Sequence, residues 1–205
     1  MIIYCLADLR GFYPTLEGGD LLIVAGDLTE SDQLDSYYWF DEWLKEQNYK
    51  KIIVIAGNHD GCLEKNEYKF KGISESIYLC DSGTEFEGLK LWGSPWTKTF
   101  PGMNPHCKAF TYDDETWFYD EKVMKIPADI DILITHGPAY GILDKCPNGN
   151  VGSSALLGWL QYVARPKLHI FGHIHEGYGI EEHFPTYNNK MMKSINCSHV
   201  NERYQ

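Results

Sequence analysis

The sequence has no apolar stretch approaching the ~18 consecutive residues of a membrane-spanning helix. Its first apolar run, residues 2–7, is too short for the core of a signal peptide and reaches Asp8 without a basic flank. The chain also has no fixed-period repeat, no low-complexity tract and no linker between domains. We therefore expect one domain covering residues 1–205, with no association with a membrane.

Basic residues are scarce relative to acidic ones. Lys and Arg number 18 against 29 Asp and Glu, which gives a formal net charge of −11. A surface of this sign repels nucleic-acid backbones and anionic lipids over most of its area, so a nucleic-acid polymer is an unfavourable partner. A local positive site, including one made by bound metal ions, is compatible with this charge.

The six cysteines show neither a CxxC spacing nor a dense cluster. A chain of 205 residues, 43% of them hydrophobic, buries enough surface to fold without covalent staples. We interpret the cysteines as reduced thiols and predict a cytosolic (cytoplasmic) protein. The sequence does not indicate an oligomeric state.

Short apolar runs, each followed at once by a polar residue, recur along the chain. They cover residues 2–7, 21–25, 52–56, 130–135 and 168–171. Runs of this length that are rich in Ile, Val and Leu are typical of strands buried on both faces. Further short strands are expected at residues 77–80, 89–92 and 194–197.

Helical spacing of apolar residues predicts helices that cover these strands, at about 32–47, at 153–164 and, more weakly, at 113–124. Thr29, Ser31 and Asp32 offer capping side chains for the first helix, and Pro166 ends the second. This alternation of strands and helices predicts a layered α/β domain. In such folds the polar groups that follow the carboxyl ends of strands converge on one crevice.

The polar residues at these strand ends form a set of oxygen and imidazole donors. They are Asp8, Asp27, Asn58, His59 with Asp60, His136, His173 and His175. Each residue alone has an ordinary explanation as a helix cap or a turn residue. Caps and turns, however, do not require an H-x-H pair at one strand end and N-H-D at another. The set therefore indicates a site for a divalent metal such as manganese, iron or zinc.

These motifs occur in the order Asp8-Leu9-Arg10, Gly26-Asp27, Gly57-Asn58-His59-Asp60, Thr135-His136-Gly137-Pro138 and Gly172-His173-Ile174-His175. In order and spacing they resemble the signature of the calcineurin-like metallophosphoesterases. Residues 91–97 and 165–179 are similar to the branch that includes the brain-expressed metallophosphoesterase-domain proteins, which resemble class III phosphodiesterases. The similarity extends along the whole chain.

The resemblance implies a four-layer α/β/β/α sandwich and hydrolysis of a small phosphate ester at a centre of one or two divalent ions. Manganese is the expected metal, with iron, zinc or nickel as alternatives. Asp27 corresponds to the carboxylate that bridges two metals. Asp8 and His175 correspond to ligands of the first metal, and Asn58, His136 and His173 to ligands of the second, with Asn58 also contacting substrate.

The resemblance also implies roles for two residues beside the metals. His59 corresponds to the acid that protonates the leaving alkoxide, and Asp60 is expected to orient it. The branch favours phosphodiesters, such as cyclic nucleotides or small diesters. Two alternatives remain open: a phosphomonoesterase or protein phosphatase, and a non-catalytic interaction module on the same fold.

Arg10 departs from the family pattern, which has a histidine ligand at this position. A guanidinium group stays protonated and cannot bind a metal as imidazole does. The first metal site either fills weakly, through Asp8, Asp27, His175 and water, or is replaced in part by the charge of Arg10. In the second case Arg10 neutralises Asp8 or grips a phosphate oxygen of the substrate. A third interpretation is a surface or salt-bridging arginine without a role in the site.

Trp96 lies in a Gly-Ser-Pro-Trp segment that the resembled branch places near its pocket. It is therefore a candidate for stacking on a substrate. Residues 97–112 have no clear periodicity and are expected to form a long loop over the site. His169, inside a strand-like run, is expected to be a core histidine rather than a ligand.

Overall fold

The structure is a computed structural model that describes residues 1–69, 76–100, 103–185 and 191–200. Its strands are β1 (Ile3–Leu6), β2 (Gly19–Ala25), β3 (Tyr49–Ile55), β4 (Ser76–Tyr78), β5 (Ser82–Phe86), β6 (Leu89–Ser94), β7 (Thr97–Lys98), β8 (Thr111–Tyr112), β9 (Ile132–Thr135), β10 (Lys145–Cys146), β11 (Gly149–Asn150), β12 (Leu168–Phe171), β13 (Gly179–Pro185) and β14 (Met191–Asn196). Its α-helices are α1 (Leu34–Lys45), α2 (Gly61–Glu64), α3 (Glu115–Glu121) and α4 (Ser154–Tyr162), and short 3₁₀ helices cover Val123–Lys125 and His175–Gly177.

Two sheets carry the fold. The first contains β1, β2, β3 and β4 side by side in chain order, all parallel. The second has the order β13-β14-β12-β9-β6-β5, in which the inner strands are parallel and the two edge strands pair antiparallel. A bridge between Ala7 and Ser198 joins the end of β1 to the segment that follows β14.

Alternating side chains give each sheet two buried faces. In β2, Leu21 and Ile23 pack into an apolar cluster between the two sheets, whereas Leu22 and Val24 pack on the opposite face, with residues of α1. All four side chains are fully buried. This explains why the strand has a continuous apolar sequence rather than an alternating one.

The second sheet follows the same rule. Ile132 and Ile134 of β9 join the cluster between the sheets, and Leu133 packs on the outer face together with Trp159 of α4. The three apolar clusters therefore lie between four layers, which are in order a helical layer, the two sheets and a second helical layer. The predicted four-layer α/β/β/α architecture is confirmed.

Each of the three predicted helices appears, shorter by a few residues at its ends. The expected start of α1 is wrong, because Gln33 occupies the N-cap position and its side chain makes no capping hydrogen bond. Asp32 instead accepts hydrogen bonds from the Tyr37 hydroxyl and from the backbone N–H of Cys62. Its carboxylate thus joins α1 to the beginning of α2.

The sequence reasoning missed the two edge strands of the second sheet. β5 alternates between half-buried and exposed residues, and β13 contains Glu181, Glu182 and His183. Edge strands need one covered face at most, so they have no continuous apolar run that would reveal them.

No helix in the described ranges is long and apolar enough to cross a membrane. The six cysteines, all within those ranges, are free thiols.

His169 on β12 is fully buried. Its Nε2 lies 2.9 Å from the hydroxyl oxygen of Thr135, and that hydroxyl donates to the carbonyl of Gly137 at 2.6 Å. Because the only proton of the hydroxyl is already used, the imidazole must donate. Burial lowers the pKa of His169 to about 3, and the nearby His183 acts in the same direction. The position agrees with a core histidine.

We expect His169→Gln to reduce the acid sensitivity of folding. The folded-state pKa lies below the unfolded value of about 6.5, so the unfolded chain binds the proton first as the pH falls. Stability is therefore complete above about pH 6.5 and declines by up to about 1.4 kcal/mol per pH unit below it. In urea titrations, the wild type should lose about 2 kcal/mol more than H169Q between pH 7 and pH 5.

The exposed His106 provides the control, because His106→Gln should follow the wild-type dependence. Parallel pH profiles for wild type and H169Q would contradict the assignment of this group.

Candidate metal centre

The carboxyl ends of parallel strands from both sheets meet at one edge, where the predicted ligands lie. Asp8 follows β1, Asp27 follows β2, Asn58 follows β3, His136 follows β9 and His173 follows β12. Asp8, Asp27 and His173 adopt φ angles of 55°, 55° and 69°. Left-handed conformations of non-glycine residues cost energy and collect at functional sites. The strand ends therefore turn sharply at the residues that carry donor atoms.

Asp8, Asp27 and His136 each contribute a donor atom to a group in which all these atoms lie within 4.8 Å of one another. The three side chains are buried. Asp8 Oδ1 is inaccessible to solvent and accepts no hydrogen bond within the described ranges. A buried carboxylate oxygen without a hydrogen-bond partner is costly, and a divalent cation would supply the missing partner.

The neighbours of His136 fix which of its atoms face the site. Nδ1 lies 2.9 Å from the carbonyl oxygen of Ala25, which can only accept, so Nδ1 carries the proton of the neutral ring. The Nε2 lone pair then faces Oδ1 of Asn58 at 3.0 Å and Oδ1 of Asp27 at 3.3 Å. Asn58 is oriented in turn by its Nδ2, which donates to the carbonyl of Cys107 at 2.9 Å.

Three acceptor atoms, from Asp27, Asn58 and His136, therefore converge on one point. Acceptors at this distance repel one another, and a cation among them converts the repulsion into coordination. The backbone carbonyls that hold the side chains are the outer partners typical of metal-binding histidines. The residues present fit a divalent metal ion.

His173 and His175 also lie beside the cluster. The ring of His173 is 5.0 Å from that of His136, and burial, with His136 adding to it, lowers the pKa of His173 to about 3. The neutral ring is the form that binds a metal. His175 Nε2 lies 3.6 Å from Oδ1 of Asp8, and Asp8 Oδ2 accepts the backbone N–H of His173 at 2.9 Å.

Both aspartates are held in the charged form. Burial alone would raise the pKa of Asp8, but the neighbouring imidazoles of His175 and His136 outweigh this and lower the pKa. The pKa of Asp27 is also lowered, because His136, His59 and Arg10 outweigh the effect of burial.

Arg10 lies inside the site. Its side chain is 13% exposed, and its Nη2 is 3.3 Å from Oδ2 of Asp27. Its Nη1 is 2.9 Å from Nδ1 of His59. A guanidinium has no acceptor atom, so it donates to Nδ1 and leaves the proton of the neutral His59 ring on Nε2. The interpretation of Arg10 as a surface residue is wrong, whereas its salt bridge agrees with the salt-bridging alternative, and a role in the site stays a prediction.

His59 presents this Nε2 to the site, 3.8 Å from Oδ2 of Asp27, and its backbone N–H donates to Oδ1 of Asp27 at 2.9 Å. Burial lowers the pKa of His59 and Arg10 adds to this, although Asp27 acts in the opposite direction.

Asp60 makes different contacts from those expected. Its carboxylate accepts the backbone N–H groups of Gly57 at 2.7 Å, Asp27 at 3.0 Å and Leu28 at 3.2 Å. No hydrogen bond between Asp60 and His59 occurs within the described part of the chain. Asp60 fastens the ends of β2 and β3 together, and the contact expected of it belongs to Arg10.

Two glycines allow the strand ends to approach each other. A Cβ at Gly57 would lie 2.3 Å from Oδ1 of Asp27, and a Cβ at Gly26 would lie 2.5 Å from Nδ1 of His136. Gly26 also has φ +94°, which side chains rarely tolerate. Any larger residue would displace the ligands themselves.

Trp96 is not brought into the site. Its indole N–H donates to Asp81 at 2.9 Å, its ring packs edge-on against Phe110 and Trp117, and the ammonium of Lys122 lies 4.1 Å from its centre. These neighbours occupy the ring, and it does not line the cavity beside the ligands. The expectation that Trp96 stacks on a substrate is not supported by this position.

A cavity of about 650 Å³ opens beside the ligands. Arg10, Asn58, His59, His173 and His175 form its polar floor. Phe100, Met103, Asn104 and Cys107 form one wall, as expected of the loop predicted over residues 97–112, although β7 and β8 begin and end that loop. Residues 101 and 102 lie outside the described residues.

The remaining lining residues were missed by the sequence reasoning. They are Cys146, Asn148, Val151, Ile174 and Glu176. Cys146 and Asn148 belong to a small hairpin, in which the sequence Pro-Asn-Gly leads from β10 into β11. That tripeptide is a recognised turn signal and could have indicated the hairpin.

A sequence profile of the family described as calcineurin-like phosphoesterase matches residues 3–177. The chain therefore belongs to this family, and the resemblance seen in its motifs is confirmed. The domain is therefore of the metallophosphoesterase class.

The chain is 36% identical over 213 residues to metallophosphoesterase domain-containing protein 1 of Homo sapiens and to the Mus musculus protein of that name, with 89% of this chain and 63% of each relative covered. A UPF0046 protein of Caenorhabditis elegans is 30% identical over 201 residues, with 86% of this chain and 69% of the relative covered. A solved structure of 15% identity has a TM-score of 0.66 over 95% of this chain and 89% of that chain, which shows a shared fold. The chain thus spans about 63% of the length of its human and mouse relatives.

Proposed function

We propose that the protein hydrolyses phosphodiesters at a metal centre, with manganese as its metal. The observation that carries this proposal is the convergence of acceptor atoms from Asp27, Asn58 and His136 beside the cavity. Asp8, Asp27, Asn58, His136, His173 and His175 are the residues that would hold the metal. A bound divalent ion supplies Lewis acidity, which lowers the pKa of water and neutralises phosphate oxygens.

The remaining chemistry belongs to the side chains around the ligands. His59 offers the Nε2 proton to the leaving oxygen, and Arg10 donates a hydrogen bond to its Nδ1. Arg10 has further N–H groups in its planar fork, which suit a phosphate oxygen of the substrate. Asn58 lines the same cavity as His59 and Arg10 and contributes to substrate binding.

The preference for diesters rests on the cavity and on the resemblance of residues 91–97 and 165–179 to one branch of the family. A phosphate monoester needs room for one organic group, whereas a diester needs room for two. The cavity of about 650 Å³ is lined in part by the apolar side chains of Phe100, Met103, Val151 and Ile174, which suit two ester groups. A cyclic nucleotide or another small diester fits this chemistry.

The test is hydrolysis of bis-p-nitrophenyl phosphate and p-nitrophenyl phosphate by chelator-stripped protein during a titration of Mn²⁺. We expect activity to rise with Mn²⁺ and to be at least ~10-fold greater on the diester, measured as kcat/KM. Both substrates release the same phenol, so the ratio reports the ester class rather than the leaving group. A larger kcat/KM on the monoester would favour the phosphomonoesterase alternative.

The third alternative, an interaction module, predicts metal binding without turnover of either ester. The completeness of the donor set around the cavity favours the enzyme, because a binding role does not require it. A cytosolic location and a domain that covers residues 1–205 remain predictions from the sequence.

A further inference from the structure

Arg10 distinguishes the two oxygens of Asp27 from each other. Oδ1 lies with the acceptors, 3.3 Å from Nε2 of His136, and also accepts the backbone N–H of His59. Oδ2 lies 3.3 Å from Nη2 of Arg10. One face of this carboxylate is therefore directed at the ligand cluster, and the other at a permanent cation.

The groups that lie beside the two oxygens of Asp27 differ in kind. On the Oδ1 face, Asn58 and His136 point lone pairs at the same place, and His173 lies next to them. On the Oδ2 face, the residue two positions after Asp8 is Arg10, which has no lone pair to give.

The charge beside Oδ2 also disfavours a metal ion at that oxygen. A divalent ion next to Oδ2 would meet the guanidinium at short range in a buried site, where like charges repel strongly. Arg10 is also held in place by its second contact, to Nδ1 of His59 at 2.9 Å. The guanidinium thus stands at the face of Asp27 where a second ion would share the carboxylate.

We propose that this chain binds one divalent ion tightly, at the cluster of Asp8, Asp27 and His136 with Asn58 and His173, and that Arg10 supplies positive charge in place of a second ion. The proposal rests on the proposed function and refines it, since the site then combines one metal with one guanidinium. In this arrangement Arg10 neutralises Asp27 and binds a phosphate oxygen of the substrate.

The test counts bound metal without reference to activity. Chelator-stripped protein is dialysed against a series of free Mn²⁺ concentrations, bound Mn²⁺ is measured by plasma mass spectrometry, and the same samples are examined by electron paramagnetic resonance. We expect the wild type to reach about one Mn²⁺ per chain, without the exchange-coupled signal of a Mn²⁺ pair. Arg10→His should bind a second Mn²⁺ ion, with an affinity on the order of 100-fold higher than that of any second binding step in the wild type. The exchange-coupled signal should then appear.

Arg10→Leu distinguishes two effects of Arg10: the absence of a ligand at this position and the presence of a positive charge. It removes the cation without adding a donor atom, so it should still bind one ion tightly, and the second should stay weak. Its hydrolysis of bis-p-nitrophenyl phosphate should fall on the order of 100-fold at saturating Mn²⁺, because the guanidinium is lost.

Two ions of similar affinity in the wild type, with a coupled signal, would overturn the proposal whether or not the variants fold. Retention of a single ion by folded R10H, checked by circular dichroism, would overturn it as well. Failure of the proposed function has a different signature: wild type that binds one Mn²⁺ and hydrolyses no phosphate ester.

Discussion

Asp27→Asn is expected to abolish tight binding of Mn²⁺ and to lower turnover of a phosphodiester by about 10³-fold or more. The substitution keeps the shape of the side chain and removes the negative charge that lies between the acceptor cluster and Arg10. Loss of several kcal/mol of charge stabilisation corresponds to this factor, at tenfold per ~1.4 kcal/mol. Metal content by mass spectrometry and kcat on bis-p-nitrophenyl phosphate are measured on the same samples.

Asp41→Asn is the matched control for this variant. Asp41 is also a buried aspartate, but it lies on α1 and receives a hydrogen bond from the Tyr68 hydroxyl at 3.3 Å. Asp41→Asn should therefore leave the metal content unchanged even if it lowers thermal stability. An Asp27→Asn protein that keeps wild-type Mn²⁺ content would remove Asp27 from the ligand set.

The sequence predicted the sheets well where strands are buried on both faces. The apolar runs of β2, β3, β9 and β12 reflect sheets that are covered on both sides, so a continuous apolar pattern was enough to predict these strands. β5 and β13 lie at sheet edges and lack this pattern. Each pairs antiparallel with the strand that follows it in the chain, β6 and β14 respectively, so the missing apolar run, and not the distance of the partner, hid these strands.

The residues of the site were predictable for a related reason. A polar residue directly after a buried parallel strand lies at the same sheet edge as the others, wherever it stands in the chain. This brings His136 within 3.0 Å of Asn58, although 78 residues separate them. The close contact of the two residues follows from the strand order alone, and the motifs identified which residues stand at the strand ends.

Contacts between loops could not be predicted in this way. The sequence pairs His59 with Asp60 because they are adjacent, but adjacent side chains after a strand point in different directions. The structure pairs His59 with Arg10 and directs Asp60 to backbone N–H groups. Trp96 is a similar case. Its motif suggested a position near the pocket, but it could not predict that Lys122, Phe110 and Trp117 pack around the indole.

His59→Ala is expected to slow hydrolysis in a way that depends on the leaving group. His59 has its Nε2 proton available because Arg10 occupies Nδ1, and a positioned acid contributes about 10²–10⁴-fold when the leaving oxygen needs a proton. p-Nitrophenolate leaves without one, whereas a phenolate or alkoxide is far more basic. We expect a loss in that range for methyl phenyl phosphate and a loss below about 10-fold for methyl p-nitrophenyl phosphate.

Metal content is the second measurement on this variant, because His59 supplies no donor atom to the cluster and bound Mn²⁺ should stay at the wild-type level. His183→Ala, which removes a histidine that pairs with Glu181 on the edge strand β13, should behave as wild type on both esters. Equal losses on the two esters would show that His59 acts by binding or by positioning Asp27, since only proton donation distinguishes one leaving oxygen from the other. The comparison therefore separates an acid at Nε2 from a residue that merely supports the ligands through its backbone N–H on Asp27.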